Sequence, residues 1–176
     1  DSGLQAAQGY SLESGIPMAP AFVKNKYIGR SFILPDQLRR ESAVNTKLNP
    51  IRATVKGKRI VLIDDSIVRS TTSTRIIKML RNAGASEVHM RISSPPFKYE
   101  CYFGTDIDNR DNLIANKFDI NGICEKIGAD SLEYLTVENL RASISPDMSF
   151  CTGCFTGDYP APVTPTLKNM FDGGDN

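Results

Sequence analysis

Residues 59–92 constrain the fold more than any other part of the chain. The run Ile60-Val61-Leu62-Ile63 is continuously aliphatic, the pattern of a strand buried on both faces of a parallel sheet. Polar residues Asp64 to Thr72 follow. Then Ile76, Ile77, Leu80 and Ala83 recur at helical spacing up to Gly84, and Glu87–Ile92 reads as the next strand. Strand, loop, helix and strand in about 35 residues make one βαβ unit. The expected fold is therefore α/β, a parallel sheet flanked by helices.

Around this unit the pattern is uneven. Ser2 to Ser14 reads as a helix capped by Ser2 and stopped by Gly15, and Ile16 to Val23 as a Pro-bounded strand. From Lys24 to Lys58 apolar residues recur at neither period, and Gly29, Pro35 and Pro50 interrupt, so a long loop with a short helix near Leu38 is expected. A loop of that length in a compact domain suggests a lid. After Pro95-Pro96 come an irregular stretch to Asn109, helices near Asp111–Asn116 and Ile120–Lys126, a strand at Leu132–Leu135 and a helix over Thr136–Ser143. The tail from Ser145 to Asn176 has no periodicity.

Charge sharpens the picture. The net charge is +1, which argues against a general nucleic-acid binder, yet residues 24–59 hold ten Lys or Arg against only Asp36 and Glu41. A basic stretch on an otherwise acidic body suits a small polyanion or an acidic partner. No apolar run approaches the ~20 residues of a membrane helix, and Asp1-Ser-Gly-Leu-Gln5 lacks the features of a signal peptide. A cytoplasmic protein without a membrane partner is expected. Because the sequence opens on Asp1 and not on Met, a piece of a longer protein is expected too.

The segment Asp64-Asp-Ser-Ile-Val-Arg-Ser-Thr-Thr72 carries the chemistry. Two acids directly after a buried strand stand at the carboxyl edge of a parallel sheet, where open α/β folds bind ligands. Small hydroxyl residues then lead into a helix whose free N–H groups and dipole attract phosphate. One loop thus offers acids suited to ribose hydroxyls or hydrated Mg²⁺, and a phosphate cradle beside them. The competing reading has one acid capping the helix and the other in solvent, with Ser66, Thr71, Thr72 and Ser73 as plain caps. His89, the lone histidine, falls inside a strand as a packed or surface residue.

Four cysteines are present. Cys151-Thr-Gly-Cys154 with distant Cys101 gives three thiolates and no nearby histidine, which suits an iron–sulfur cluster or a Cys₄ zinc site. Cys124 shares an apolar helical face with Ile120, Ile123 and Ile127 and reads as a core thiol.

The strand-end segment resembles the signature of the type I phosphoribosyltransferases, which bind 5-phosphoribosyl 1-diphosphate (PRPP). Its form Asp64-Asp-Ser-Ile-Val-Arg69 followed by Thr71-Thr72-Ser73 is similar to that of the glutamine-dependent amidophosphoribosyltransferases. Asp1-Ser2-Gly3, Val23-Lys-Asn-Lys-Tyr-Ile-Gly-Arg-Ser-Phe32, Ile92-Ser-Ser-Pro-Pro96, Ile127-Gly-Ala-Asp130 and Cys154-Phe-Thr-Gly-Asp-Tyr-Pro160 also match, in family order. The resemblance implies the type I phosphoribosyltransferase fold. It assigns Ser2, Asp64 and Asp65 to Mg²⁺ and PRPP, and Ser66, Ile67, Val68, Arg69, Ser70, Thr71 and Thr72 to the 5-phosphate. Residues about 24–47 become a lid, with Lys24 and Arg30 placed on pyrophosphate. Ser70 stands where the family usually has glycine, and a positive φ there would cost serine on the order of 1 kcal/mol.

The implied reaction is displacement of pyrophosphate from C1 of PRPP by ammonia, giving phosphoribosylamine and opening purine synthesis. Ammonia would come from glutamine through an N-terminal glutaminase domain outside this chain. The resemblance also implies purine nucleotides as feedback inhibitors and a homo-oligomer. One branch of the family, resembled by Glu100-Cys101-Tyr-Phe-Gly104 and the Cys-x-x-Cys-Phe-Thr-Gly run, carries a [4Fe-4S] cluster. Cys101, Cys151 and Cys154 match its ligands, with the fourth upstream of Asp1. The chain then divides into an N-terminally incomplete phosphoribosyltransferase domain at 1–144 and a Cys-containing tail at 145–176. A nucleobase phosphoribosyltransferase would leave the cysteines without a purpose. A PRPP-sensing regulator would need a DNA-binding segment, and no helix-turn-helix pattern appears.

Overall fold

The computed structural model describes residues 2–24, 48–105, 107, 109–144 and 148–163. Arg30, the expected helix near Leu38 and the rest of the lid beyond Lys24 lie outside them.

The βαβ unit forms as the pattern requires. Strand β3 (Arg59–Asp64) pairs in parallel with β4 (Glu87–Ile92), which pairs in parallel with β5 (Ser131–Tyr134). Ahead of them, β1 (Phe22–Lys24) and β2 (Leu48–Pro50) form an antiparallel ribbon. Helix α1 spans Leu4–Ser14, the single turn α2 Arg52–Val55, α3 Thr71–Asn82 and α4 Ile120–Ile127. Helix α5 (Val137–Ala142) and the single turn α6 (Gly153–Thr156) are the other α-helical segments among the described residues.

Along β4 the side chains alternate. Val88, Met90 and Ile92 are buried, whereas Glu87, His89 and Arg91 face the other side half-buried. The buried row clusters with Leu132 of β5, Ile77 and Leu80 of α3, Ala83 at its C-cap, Ile123 and Ile127 of α4, and Val55 of α2. Asp130 accepts hydrogen bonds from the Arg81 guanidinium and the Val88 N–H, tying α3 to the start of β5.

Several boundaries differ from expectation. The strand expected over Ile16–Val23 is confined to Phe22–Lys24, and the supposed loop reaching Lys58 contains β2 and α2. The expected helix at Asp111–Asn116 is two 3₁₀ turns, Arg110–Asn112 and Ile114–Asn116, and the tail contains α6. Elements of three or four residues are too short to show a period. Ser2 does not cap α1: its N-cap is Gly3, with no side-chain hydrogen bond, while Gly15 stops the helix in the left-handed region at φ 71°. None of the residues of α1 is buried, although the helix packs beside β3.

Leu80 is fully buried between α3 and the sheet. Leu80→Ala is expected to lower stability by about 2–5 kcal/mol, read as a shift of the urea transition of this part of the protein. A shift below about 1 kcal/mol would place the core elsewhere.

Candidate active site

Strand β3 delivers Asp64 to the carboxyl edge of the sheet, and the chain there turns into α3. The Asp64 carbonyl accepts hydrogen bonds from the Ser93 N–H at 3.0 Å and the Ser93 hydroxyl at 3.3 Å, which fix the strand end against the loop after β4. Asp65 donates its N–H to Asp64 Oδ1 at 3.0 Å, and the Ser66 hydroxyl donates to Asp65 Oδ1 at 3.2 Å. The two carboxylates are thus adjacent, Asp65 exposed and Asp64 half-buried. Burial raises the Asp64 pKa above the ordinary carboxylate value; the Asp65 N–H opposes the shift and the Asp65 charge adds to it.

The loop is held from below. Ile67 is buried, and the Ile114 N–H donates to the Val68 carbonyl at 3.0 Å. The Thr71 N–H donates to the Arg69 carbonyl, closing a tight turn into α3. Asp119 caps α4 and Thr136 caps α5 with their side chains, but Ser70 makes no such bond to α3. The Thr71 N–H is taken by Arg69, but no side chain caps the rest of the first turn of α3, which suits it to meet an anion. Ser70 sits at φ 14° and ψ −23°, outside the left-handed region that favours glycine.

Gly3, the residue after Ser2, packs on the backbone of Ile63 and Asp64 at the end of β3. Asp64, Asp65 and Ser66–Thr72 run in sequence along that edge into α3. Lys24 ends β1, in the separate two-stranded ribbon. An open cavity of about 290 Å³ adjoins Arg69, Ser70 and Thr71, with Asn112, Ile114, Lys117, Phe118 and Lys126 as its other walls. Those five were not singled out in the sequence, because only the crossover from β4 to β5 returns them to the loop. His89 is engaged structurally, 2.9 Å from Ser131 Oγ and 2.8 Å from Glu87 Oε2.

The cysteines lie where the tail clasps the body. Lys98 and Tyr99 both donate N–H groups to the Cys154 carbonyl at 3.0 Å, and the Tyr159 hydroxyl donates to the Glu100 carbonyl at 2.7 Å. Phe97 packs on Phe155 at 4.9 Å between ring centroids, and a Cβ on Gly153 would strike the Tyr159 ring. Burial, with the neighbouring charges of Cys101 and Cys151 adding to it, pushes the Cys154 thiol up to about 11. Burial also acts on Cys101, but the N–H groups of Phe103, Thr105 and Gly104 and the Thr105 hydroxyl outweigh it and hold that thiol below its ordinary value. Among the described residues no three His, Cys, Asp or Glu side chains are gathered to hold a single metal ion. Cys124 packs against the core and donates to the Ala129 carbonyl at 3.3 Å, as expected of a core thiol.

The acid pair has a thermodynamic consequence. A carboxyl whose folded pKa is raised penalises the folded state at neutral pH, and the penalty fades as pH falls through that raised value. Asp64→Asn is therefore expected to melt above the parent at pH 7. The gain should shrink as pH falls through the raised carboxyl value. A scan of melting temperature against pH checks both, and a melting point lowered at pH 7 would contradict the assignment.

No family model matches the chain. The amidophosphoribosyltransferase of Synechococcus elongatus is 50% identical over 169 residues, covering 96% of this chain and 34% of that protein. Amidophosphoribosyltransferase 1, chloroplastic, of Arabidopsis thaliana is 48% identical over 177 residues, 99% of this chain and 31% of its own length. The chain thus spans about a third of the curated relatives it matches. Among solved structures, the glutamine PRPP amidotransferase of B. subtilis complexed with ADP and GMP superposes with a TM-score of 0.82 at 46% identity, covering 94% of this chain and 37% of that one. Sequence over nearly its whole length and a shared fold agree with the strand-end signature: the chain belongs to the amidophosphoribosyltransferase family and carries its phosphoribosyltransferase fold.

Proposed function

We propose that the protein transfers ammonia to C1 of PRPP with release of pyrophosphate, giving 5-phosphoribosylamine, the first committed step of purine synthesis. The observation that carries this reading is that one loop leads from two adjacent acids at the strand end into a helix start without a side-chain cap. That pairing suits a sugar phosphate whose ribose and 5-phosphate are gripped together.

The N–H groups of the loop and of α3 would bind the 5-phosphate, with the hydroxyls of Ser66, Ser70, Thr71 and Thr72 beside them. Asp64 and Asp65 would hold Mg²⁺ with Ser2, which suits an ion that takes one or two carboxylates and completes its shell with water and substrate oxygens. The donor set fits, because a divalent cation relieves the repulsion that helps to raise the Asp64 pKa. Bound there, Mg²⁺ supplies electrostatic stabilisation of the departing pyrophosphate. Lys24 and Arg30 would neutralise pyrophosphate from the lid, and lid closure would exclude water that competes with ammonia. The barrier is charge separation at C1, so no general base is required. His89, already held by Glu87 and Ser131, has no part in the step.

The wider reading follows the same line. Ammonia would be supplied from glutamine by a glutaminase domain outside this chain. Purine nucleotides would inhibit by feedback, in keeping with a B. subtilis relative solved with ADP and GMP. The protein would act as a homo-oligomer in the cytoplasm; among the described residues no helix is long and apolar enough to cross a membrane. Residues 1–144 would form the phosphoribosyltransferase part and 145–176 a tail. Cys101, Cys151 and Cys154 would hold a [4Fe-4S] cluster with a fourth ligand from upstream. Cys101 and Cys151 lie near enough to Cys154 for their charges to raise its pKa, which puts the three thiols in one neighbourhood.

Two measurements on the full-length protein test these assignments. Asp64→Asn with Asp65→Asn should cut PRPP-dependent pyrophosphate release by on the order of a thousandfold or more, with an unchanged circular dichroism spectrum; wild-type release would refute the site. Anaerobically purified protein should contain iron and acid-labile sulfide in matching amounts, and values near zero would remove the cluster.

A further inference from the structure

Gly3 stands where a side chain has no room. Its backbone, at φ −78° and ψ −5°, is one that any residue adopts, so conformational freedom does not explain the glycine. Space does. A Cβ built on Gly3 would lie 2.9 Å from the Ile63 carbonyl oxygen and 3.3 Å from Asp64 Cα, both backbone atoms at the end of β3. Ordinary carbon–oxygen contact is about 3.4 Å, so something must retreat by roughly half an ångström.

Which side gives is decided by how each is held. The end of β3 is locked: Ile63 and Asp64 lie in register with Arg91 and Ile92, and the Asp64 carbonyl takes two hydrogen bonds from Ser93. Helix α1 has no buried residue, and its large side chains Leu4 and Leu12 are 56% and 79% exposed. The start of α1 would therefore move and carry Ser2 with it, at little cost to overall stability. Gly9, six residues on in the same helix, has nothing within 4 Å of a Cβ.

We propose that Gly3 is a positioning residue: by letting the backbone at the start of α1 touch the backbone at the end of β3, it sets the distance between Ser2 and the Asp64–Asp65 pair, and with it the size of cation the site accepts. The inference rests on the reading that these three residues hold Mg²⁺. The displacement forced by a methyl group is close to the difference between Mg–O distances of about 2.0–2.1 Å and Ca–O distances of about 2.3–2.6 Å. A widened site should favour the larger ion.

The test compares Gly3→Ala with Gly9→Ala in the full-length protein, titrating Mn²⁺ by electron paramagnetic resonance with PRPP present and displacing it with Mg²⁺ or Ca²⁺. Gly3→Ala should bind Mn²⁺ about tenfold more weakly and shift the ratio of Mg²⁺ to Ca²⁺ displacement several-fold toward Ca²⁺. The KM for PRPP should rise more than kcat falls. Its melting temperature should stay within about 2 °C of the parent, and Gly9→Ala should titrate as the parent does. Unchanged cation preference in Gly3→Ala, collapse of its fold, or an equal loss in Gly9→Ala would each overturn the proposal. If instead parental protein binds no Mn²⁺ that Asp64→Asn with Asp65→Asn removes, the metal reading itself fails, independently of Gly3.

Discussion

Two like charges held side by side at the end of a buried strand are the constraint from which the rest of the molecule follows. Asp64 cannot move away from Asp65, because β3 is fixed in parallel register with β4 and Ser93 binds the Asp64 carbonyl twice. It cannot gain water freely either, since the strand end is half-buried and its pKa rises accordingly. A fold that tolerates such a pair gives up stability for a ready anionic site. The same sheet aims the start of α3 at that edge, so positive and negative ends of the site are fixed by one rigid unit.

The division of labour between rigid and loosely held parts is visible in the packing. Helices α3 and α4 are sewn into the core by Ile77, Leu80, Ile123 and Ile127, while α1 buries nothing, packs beside β3 and meets the strand end through its N-cap Gly3. The tail is a third case. Its clasp uses a carbonyl of Cys154, the ring and hydroxyl of Tyr159 and the gap left by Gly153. That clasp brings Cys154 toward Cys101 without a continuous apolar core behind it.

The sequence disclosed what has a period or a motif. The aliphatic run Ile60–Ile63 and the helical spacing of Ile76, Ile77, Leu80 and Ala83 located the βαβ unit, with the strand at 87–92 at its observed bounds. The acid pair and the phosphate loop were legible because their residue types are dictated by what lies at a strand end. Hidden features were those that depend on distance through space. A three-residue strand such as β2 carries no period. Lys117 and Lys126 reach the cavity beside Arg69 only through the crossover, and Gly3 reads as an ordinary glycine until its nearest neighbours are known. The cap role expected of Ser2 failed because the helix begins at Leu4, one residue later than the pattern suggested, which makes Gly3 the N-cap.

The central claim is that this strand-end site presents PRPP to ammonia. It is tested most directly by pyrophosphate release from Mg²⁺-PRPP by the full-length protein, with glutamine, free ammonia and purine or pyrimidine bases offered in parallel. The account predicts release with glutamine or ammonia and none above background with a base. Release that requires a nucleobase, or tight PRPP binding with no turnover under any condition, would contradict it.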